Sequence, residues 1–152
     1  MKEVEKDKAT KWTEKYLLDL SGMTIIITGA NSGTGFTATK YMSAKGATII
    51  MACRNPGKAK KALENIKDEN PGAKLDFIRL DLGDLASVKE FADRFKEKYI
   101  SLDILINNAG VAQTPELRTK DNFEMQLGIN HLGHFALTGY LVERLTSTKN
   151  AR

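Results

Sequence analysis

The chain has 152 residues and a mass of 16.8 kDa; 41% of its residues are hydrophobic, 28% are charged, and the formal net charge is +4. With twelve Gly, three Pro and one Cys it is neither collagen-like, nor a disulfide scaffold, nor wholly disordered, and it reads as one ordinary soluble domain. No apolar run approaches the roughly 20 residues that cross a bilayer, and 1–10 is laced with Lys, Glu and Asp where a secretion signal would be apolar, so a cytoplasmic protein without a membrane span is expected.

In chain order, 1–20 reads as a charged, weakly amphipathic leader helix carrying Trp12 and Tyr16, set off by Ser21-Gly22 from a domain over 21–152. The run 23–28 is short, continuous and β-branched, as is 47–52; strands buried on both faces of a parallel sheet have this pattern. Further strands are expected over 75–80 and 102–106. Amphipathic stretches alternate with them: 33–45, 56–69 with Pro56 in its first turn, and 84–99 with Asp84 as N-cap and Val88, Phe91, Phe95 and Tyr99 on one face. Asp121-Asn-Phe-Glu124 has capping-box spacing and predicts the start of a last, long helix. Its stripe runs through Phe123, Leu127, Asn130, His134, Leu137, Leu141 and Leu145. Cys53 closes an apolar run and suits a small buried side chain.

Strand-helix-strand repetition implies right-handed crossovers and an α/β, Rossmann-type, doubly wound sheet of about four strands in the order 3-2-1-4, with two helices on each face. The order reverses between strands 1 and 4, and that reversal is where such sheets place a ligand crevice. Just there stands Thr28-Gly-Ala-Asn-Ser-Gly-Thr-Gly-Phe36. Gly29, Gly33 and Gly35 between a buried strand and a helix permit a tight turn and close approach to a pyrophosphate, whose charge meets free N–H groups and the positive end of the helix dipole. The alternative reading is a turn that only packs helix against strand.

Gly29-Ala-Asn-Ser-Gly33-Thr-Gly35, Asp81-Leu82, Asn107-Asn-Ala-Gly110 and Asn130-His-Leu-Gly-His-Phe135 together resemble the short-chain dehydrogenase/reductase family, especially its retinol-dehydrogenase-like branch. The match runs from about residue 22 to the end of the sequence. It implies a nicotinamide-dependent oxidoreductase acting on a small carbonyl or alcohol. It further implies that Gly29, Ser32, Gly33 and Gly35 wrap the pyrophosphate and adjoining ribose. Asp81 and Leu82 would face the adenine, and Asn108, Ala109 and Gly110 would line the crevice. Thr34 stands where relatives usually carry Ile, so local repacking without loss of the turn is expected. Asp81 has a second reading, as an acid satisfying loop N–H groups after a strand. Asn107 is expected to tie strands together through its amide. Asn130 would support a water relay to the catalytic Lys, or else cap a bend near Gly128 and Gly133. An amide on an apolar stripe costs roughly 1–3 kcal/mol unless paired, so it needs a partner.

Arg54 decides between dinucleotides. It lies 25 positions after Gly29, close to where NAD-binding chains place an acid on the ribose 2′-hydroxyl, and no acid occupies 52–55. A 2′-phosphate would meet no repulsion and a charge-assisted contact, favouring NADP over NAD by roughly ten- to a hundred-fold. Lys58, Lys60 and Lys61 would add a diffuse positive field; an ordinary surface role for Arg54 is the alternative. The same basic cluster, 54–67, has no interleaved aromatic side chain to stack bases, which argues against nucleic acid. His131 and His134 form an incomplete metal set, so no metal is expected and His134 should be a hydrogen-bonded core residue.

The resemblance also implies a catalytic Ser, Tyr and Lys downstream of the Asn-containing helix. Tyr140 with Arg144 lies in the wrong element, and Arg cannot serve as a titratable amine. The expectation is a polypeptide without dehydrogenase turnover on its own: a truncated product, one piece of a split enzyme, or a non-catalytic dinucleotide-binding or interaction module. Strand 4 would then expose an unpaired outer edge, favouring self-association or a complementing polypeptide.

Overall fold

The computed structural model describes Thr13 and residues 16–152. The expected leader helix therefore falls mostly outside the described residues; 17–20 run without helical structure, and Leu20 is buried against the sheet. The elements that follow are β1 (Thr24–Thr28), α1 (Gly33–Ala44), β2 (Thr48–Cys53), α2 (Pro56–Glu69), β3 (Lys74–Arg79), α3 (Leu85–Lys98), β4 (Ile104–Ile106), α4 (Met125–Leu127), a π turn (Gly128–Leu132) and α5 (Gly133–Ser147).

The four strands are parallel and ordered β3-β2-β1-β4, as the alternation of elements predicts. Period-two geometry divides the apolar runs between two cores. Ile25, Ile27, Ile49 and Met51 face α1 and α2, packing on Phe36, Met42, Ala59 and Ala62. Ile26, Ile50 and Ile78 face α3 and α5, meeting Val88, Phe91, Phe95, Leu137 and Leu141. Because β1 and β2 are buried on both sides, their sequences lack alternation.

Local chemistry sets most boundaries. Pro56 opens α2, whose N-cap Asn55 accepts from the Lys58 N–H at 2.9 Å. Asp84 Oδ1 accepts from the Ala86 N–H at 3.0 Å, capping α3. β4 begins two residues later than expected. Leu102 gives its N–H to Thr148 Oγ1 at 3.2 Å, and at Asp103, whose N–H still bonds Thr24 O at 2.9 Å, the Thr24 N–H goes to the side-chain Oδ2 at 2.8 Å. Nor is the outer edge of β4 wholly unpaired. Arg152 accepts from the Leu105 N–H at 2.9 Å and donates to Asp103 O at 3.0 Å, the start of a parallel ladder made by the chain itself.

The last helix departs most from its sequence pattern. Asp121 does not cap it; Asp121 Oδ2 accepts from the Leu85 N–H at 2.8 Å and serves α3 instead. Residues 118–124 form a small antiparallel turn through Asn122, at φ 67°, and Glu124 becomes the cap, accepting from the Gln126 and Leu127 N–H groups at 2.9 and 2.7 Å. The π turn then inserts an extra residue into the helical repeat. Its phase change leaves Phe123, Leu127 and Asn130 exposed, whereas His134, Leu137 and Leu141 remain buried.

Lys120 Nζ donates to Asp84 Oδ2 at 2.7 Å and holds that carboxyl below the usual Asp range, with two backbone donors acting the same way. A depressed folded-state pKa contributes stability above the ordinary Asp value, which is lost as the pH falls through it. Asp84→Ala should lower stability by about 1 kcal/mol at neutral pH in urea unfolding. The difference from the unmodified chain should shrink as the pH falls below about 4.

Candidate functional site

A cleft of about 450 Å³ opens at the carboxyl ends of β1, β2 and β4. Its walls bring together, from separate elements, Gly29, Ser32 and Thr34, then Arg54, Asp81 and Leu82, and finally Asn108, Ala109 and Gly110. Of the expected binding residues only Gly33 and Gly35 do not line it, and both shape the turn. Gly29 and Gly33 have φ of 68° and 53°, a region in which L side chains are strained. At Gly35 an added Cβ would run into the Gly29 carbonyl and lie 2.6 Å from Asn108 Nδ2. The floor is therefore bare backbone: a side chain collides at Gly35, and at Gly29 and Gly33 the left-handed φ strains any L residue.

The N-terminus of α1 faces this cleft without a cap. Ser32 is extended (φ −158°, ψ 164°), its side chain makes no cap hydrogen bond, and no acid occupies the first turn. The first bond into the helix comes from the Phe36 N–H to Ser32 O at 3.1 Å, and the N–H groups of Gly33, Thr34 and Gly35 have no acceptor among the described residues. A carboxylate or amide side chain caps α2, α3 and α4. Uncapped amides and the positive helix end make α1 an anion site.

Thr34 is exposed on the cleft wall, so its replacement of a larger residue calls for no repacking. Asp81 lines the cleft and also bears out its second reading, since Oδ1 accepts from the Gly83 N–H at 3.0 Å. Arg54, just past β2, is exposed and has no ion pair or hydrogen bond among the described residues. Lys58 and Lys61 border a second concavity of about 370 Å³ that shares Asn31 and Ser32 with the cleft, whereas Lys60 lies 3.9 Å from Glu64.

The strand tie expected of Asn107 falls to Asn108, which also lines the cleft. Asn107 is exposed and donates to Thr138 Oγ1 at 3.2 Å; the tie between β1 and β4 is made by Asn108, whose Nδ2 donates to Thr28 O at 2.8 Å. Asn130 is exposed in the π turn, not buried on the stripe, yet its amide oxygen and nitrogen both bond the backbone of one residue. Oδ1 accepts from the Val111 N–H and Nδ2 donates to Val111 O, both at 2.8 Å. Gly110 leaves room for this clamp, because a Cβ there would stand 3.3 Å from Asn130 Oδ1. His134 is 6% exposed and doubly hydrogen-bonded; burial lowers its pKa, against a smaller opposite effect of the Asn130 carbonyl.

Sequence reasoning missed Asn31, Ala52, Cys53, Leu80, Val111 and Ile129 as cleft residues. Asn31 lies inside the glycine turn and could have been read there; the others are apolar or small and carry no distinguishing signal. Burial pushes the Cys53 thiol up to about 11, so it stays protonated at neutral pH. Tyr41 and Lys45 have the four-residue spacing of a Tyr/Lys pair but sit at the end of α1 away from the cleft. Among the described residues no three His, Cys, Asp or Glu side chains converge on a metal site, and no helix is long and apolar enough to cross a membrane.

The short chain dehydrogenase family model matches residues 23–152, which is the whole of the sheet and its helices. The chain belongs to that family. Retinol dehydrogenase 13 of Homo sapiens is 42% identical over 133 residues, covering 88% of this chain and 40% of that enzyme. A crystal structure of an uncharacterized protein from Mycobacterium paratuberculosis superposes with a TM-score of 0.78 at 42% identity, over 88% of this chain and 46% of the other. A short chain dehydrogenase from Escherichia coli CFT073 complexed with NADPH gives a TM-score of 0.74 at 26% identity, over 86% and 56%. This short-chain dehydrogenase chain thus spans less than half the length of the curated relatives it matches.

Within this family member the turn glycines are not equivalent. Gly35→Ala, forced against the Gly29 carbonyl, should destabilise by about 1–3 kcal/mol in urea unfolding. Gly33→Ala has open space around its Cβ and suffers only the φ penalty, about 1–2 kcal/mol.

Proposed function

We propose that the chain is the NADP(H)-binding portion of a short-chain oxidoreductase that interconverts a carbonyl and an alcohol by hydride transfer. The observation that carries this reading is the uncapped N-terminus of α1 at the cleft floor with the guanidinium of Arg54 at its rim. The residues present fit a dinucleotide. Backbone N–H groups of 33–35 meet its diphosphate, and Asp81 and Leu82 flank the adenine side. Asn108, Ala109 and Gly110 form the opposite wall, and Arg54 takes a 2′-phosphate, with Lys58 and Lys61 adding positive field from the adjoining concavity. When bound, the dinucleotide supplies the hydride acceptor or donor. The chain's own part is to bind and orient it, and Asn130, held on Val111, serves a proton relay once the remaining groups are supplied. NADPH bound to the Escherichia coli relative supports the choice of nucleotide.

By itself the polypeptide binds without turning over. Tyr140 is on α5 and is followed by Arg144, and among the described residues no positioned phenol and amine stand at the cleft.

Titration with NADP and with NAD, followed by thermal stability, should give affinities that differ by roughly ten- to a hundred-fold in favour of NADP, and Arg54→Ala should remove most of the difference. Equal shifts with both nucleotides would defeat the choice of NADP. NADPH oxidation with a panel of aldehydes and ketones should stay at background; a rate that follows the protein through purification would refute the non-catalytic part.

A further inference from the structure

His134 has no part in the reading above, yet it is buried at the start of α5, behind the cleft wall. Its Nδ1 lies 3.1 Å from Asn130 O. A carbonyl only accepts, so Nδ1 carries the proton and, in the neutral ring, Nε2 must accept. The group facing Nε2 at 2.9 Å is the Thr28 hydroxyl, which therefore donates. The other acceptor in its range, Ile106 O, is farther at 3.4 Å. With its one proton directed at the imidazole, Thr28 Oγ1 presents its lone pairs to the Asn108 and Ala109 N–H groups, each at 2.9 Å. Those two residues begin the cleft wall opposite the glycine turn, and a Cβ on Gly29 would lie 3.1 Å from Ala109, so the wall has little room to move toward the floor.

We propose that His134 is a positioning residue for the dinucleotide cleft, acting through Thr28: by accepting the hydroxyl proton it fixes both Thr28 lone pairs on the 108–109 backbone and sets the width of the cleft. The same ring ties the π turn, through Asn130 O, to the end of β1. Asn130 in turn clamps Val111, so the wall from 108 to 111 is held at both ends by one connected set of bonds. The inference rests on the cleft being a dinucleotide site.

His134→Phe keeps the volume and removes the acceptor; it should weaken NADP binding by about five- to tenfold, the loss expected for one buried hydrogen bond. His134→Gln, which can still accept from Thr28, should return affinity to within about threefold of the unmodified protein. In a Thr28→Val background His134→Phe should have no further effect. Unchanged affinity in His134→Phe, or independent multiplication of the two losses, would overturn the proposal. Should Thr28→Val fail to fold, nitrogen NMR of the unmodified protein at neutral pH decides the geometry. The expected result is a neutral ring protonated on Nδ1, with slowly exchanging Asn108 and Ala109 amides. An Nε2-protonated or charged ring, or fast exchange at both amides, contradicts the assignment. These spectra need no nucleotide, so failure of NADP to bind the unmodified protein would count against the dinucleotide reading, separately from the His134 geometry.

Discussion

The first turn of α1 starts immediately beyond β1, and its backbone donors are left to whatever enters the cleft. That constraint explains the residues around it. A side chain at Gly35 would push α1 off the Gly29 carbonyl, and side chains at Gly29 and Gly33 would oppose the left-handed backbone that turns β1 into the helix. Ser32 sits at the N-cap position but leaves the helix amides free. Asn55, Asp84 and Glu124 cap α2, α3 and α4, so this end contrasts with those helix starts.

The second requirement is that the opposite wall stay put. Among the described residues β4 pairs along its length with β1, and the loop after it runs out over the cleft. Thr28 restrains that loop. One buried hydroxyl accepts two backbone donors from that loop and gives its proton to His134, while Asn108 returns an amide bond to Thr28 O. A fully paired polar cluster of this kind favours one arrangement, because any displacement leaves a buried donor or acceptor without a partner. The helix that brings His134 arrives through the π turn, and packing of Gly133 against Leu82 sets it down on the adjoining wall.

Much of this was legible in the sequence wherever the deciding physics is local. Continuous β-branched runs gave β1 and β2 to within a residue, and Pro56 and Asp84 gave the starts of α2 and α3, because caps and buried strands act through neighbouring residues. The glycine turn, Arg54 and the loop after β4 converge as the alternation of elements implies. What escaped was non-local. Asp121 and Glu124 satisfy capping spacing, but Asp121 spends its carboxylate on Leu85, thirty-six residues upstream, and only the tertiary fold reveals it. The π turn has no signature in a four-and-three apolar stripe, so Asn130 read as buried. Adjacent Asn107 and Asn108 point to different surroundings, and composition cannot say which one ties the strands.

The central claim is that the bare amides of α1 receive the diphosphate of NADP. Amide chemical shifts of the protein, followed by two-dimensional NMR as NADP is added, test it most directly. The largest changes should fall on Gly33, Thr34 and Gly35, with Arg54 moving alongside them. Changes confined to other surfaces, such as the outward face of α5, with the glycine turn unmoved, would contradict the account.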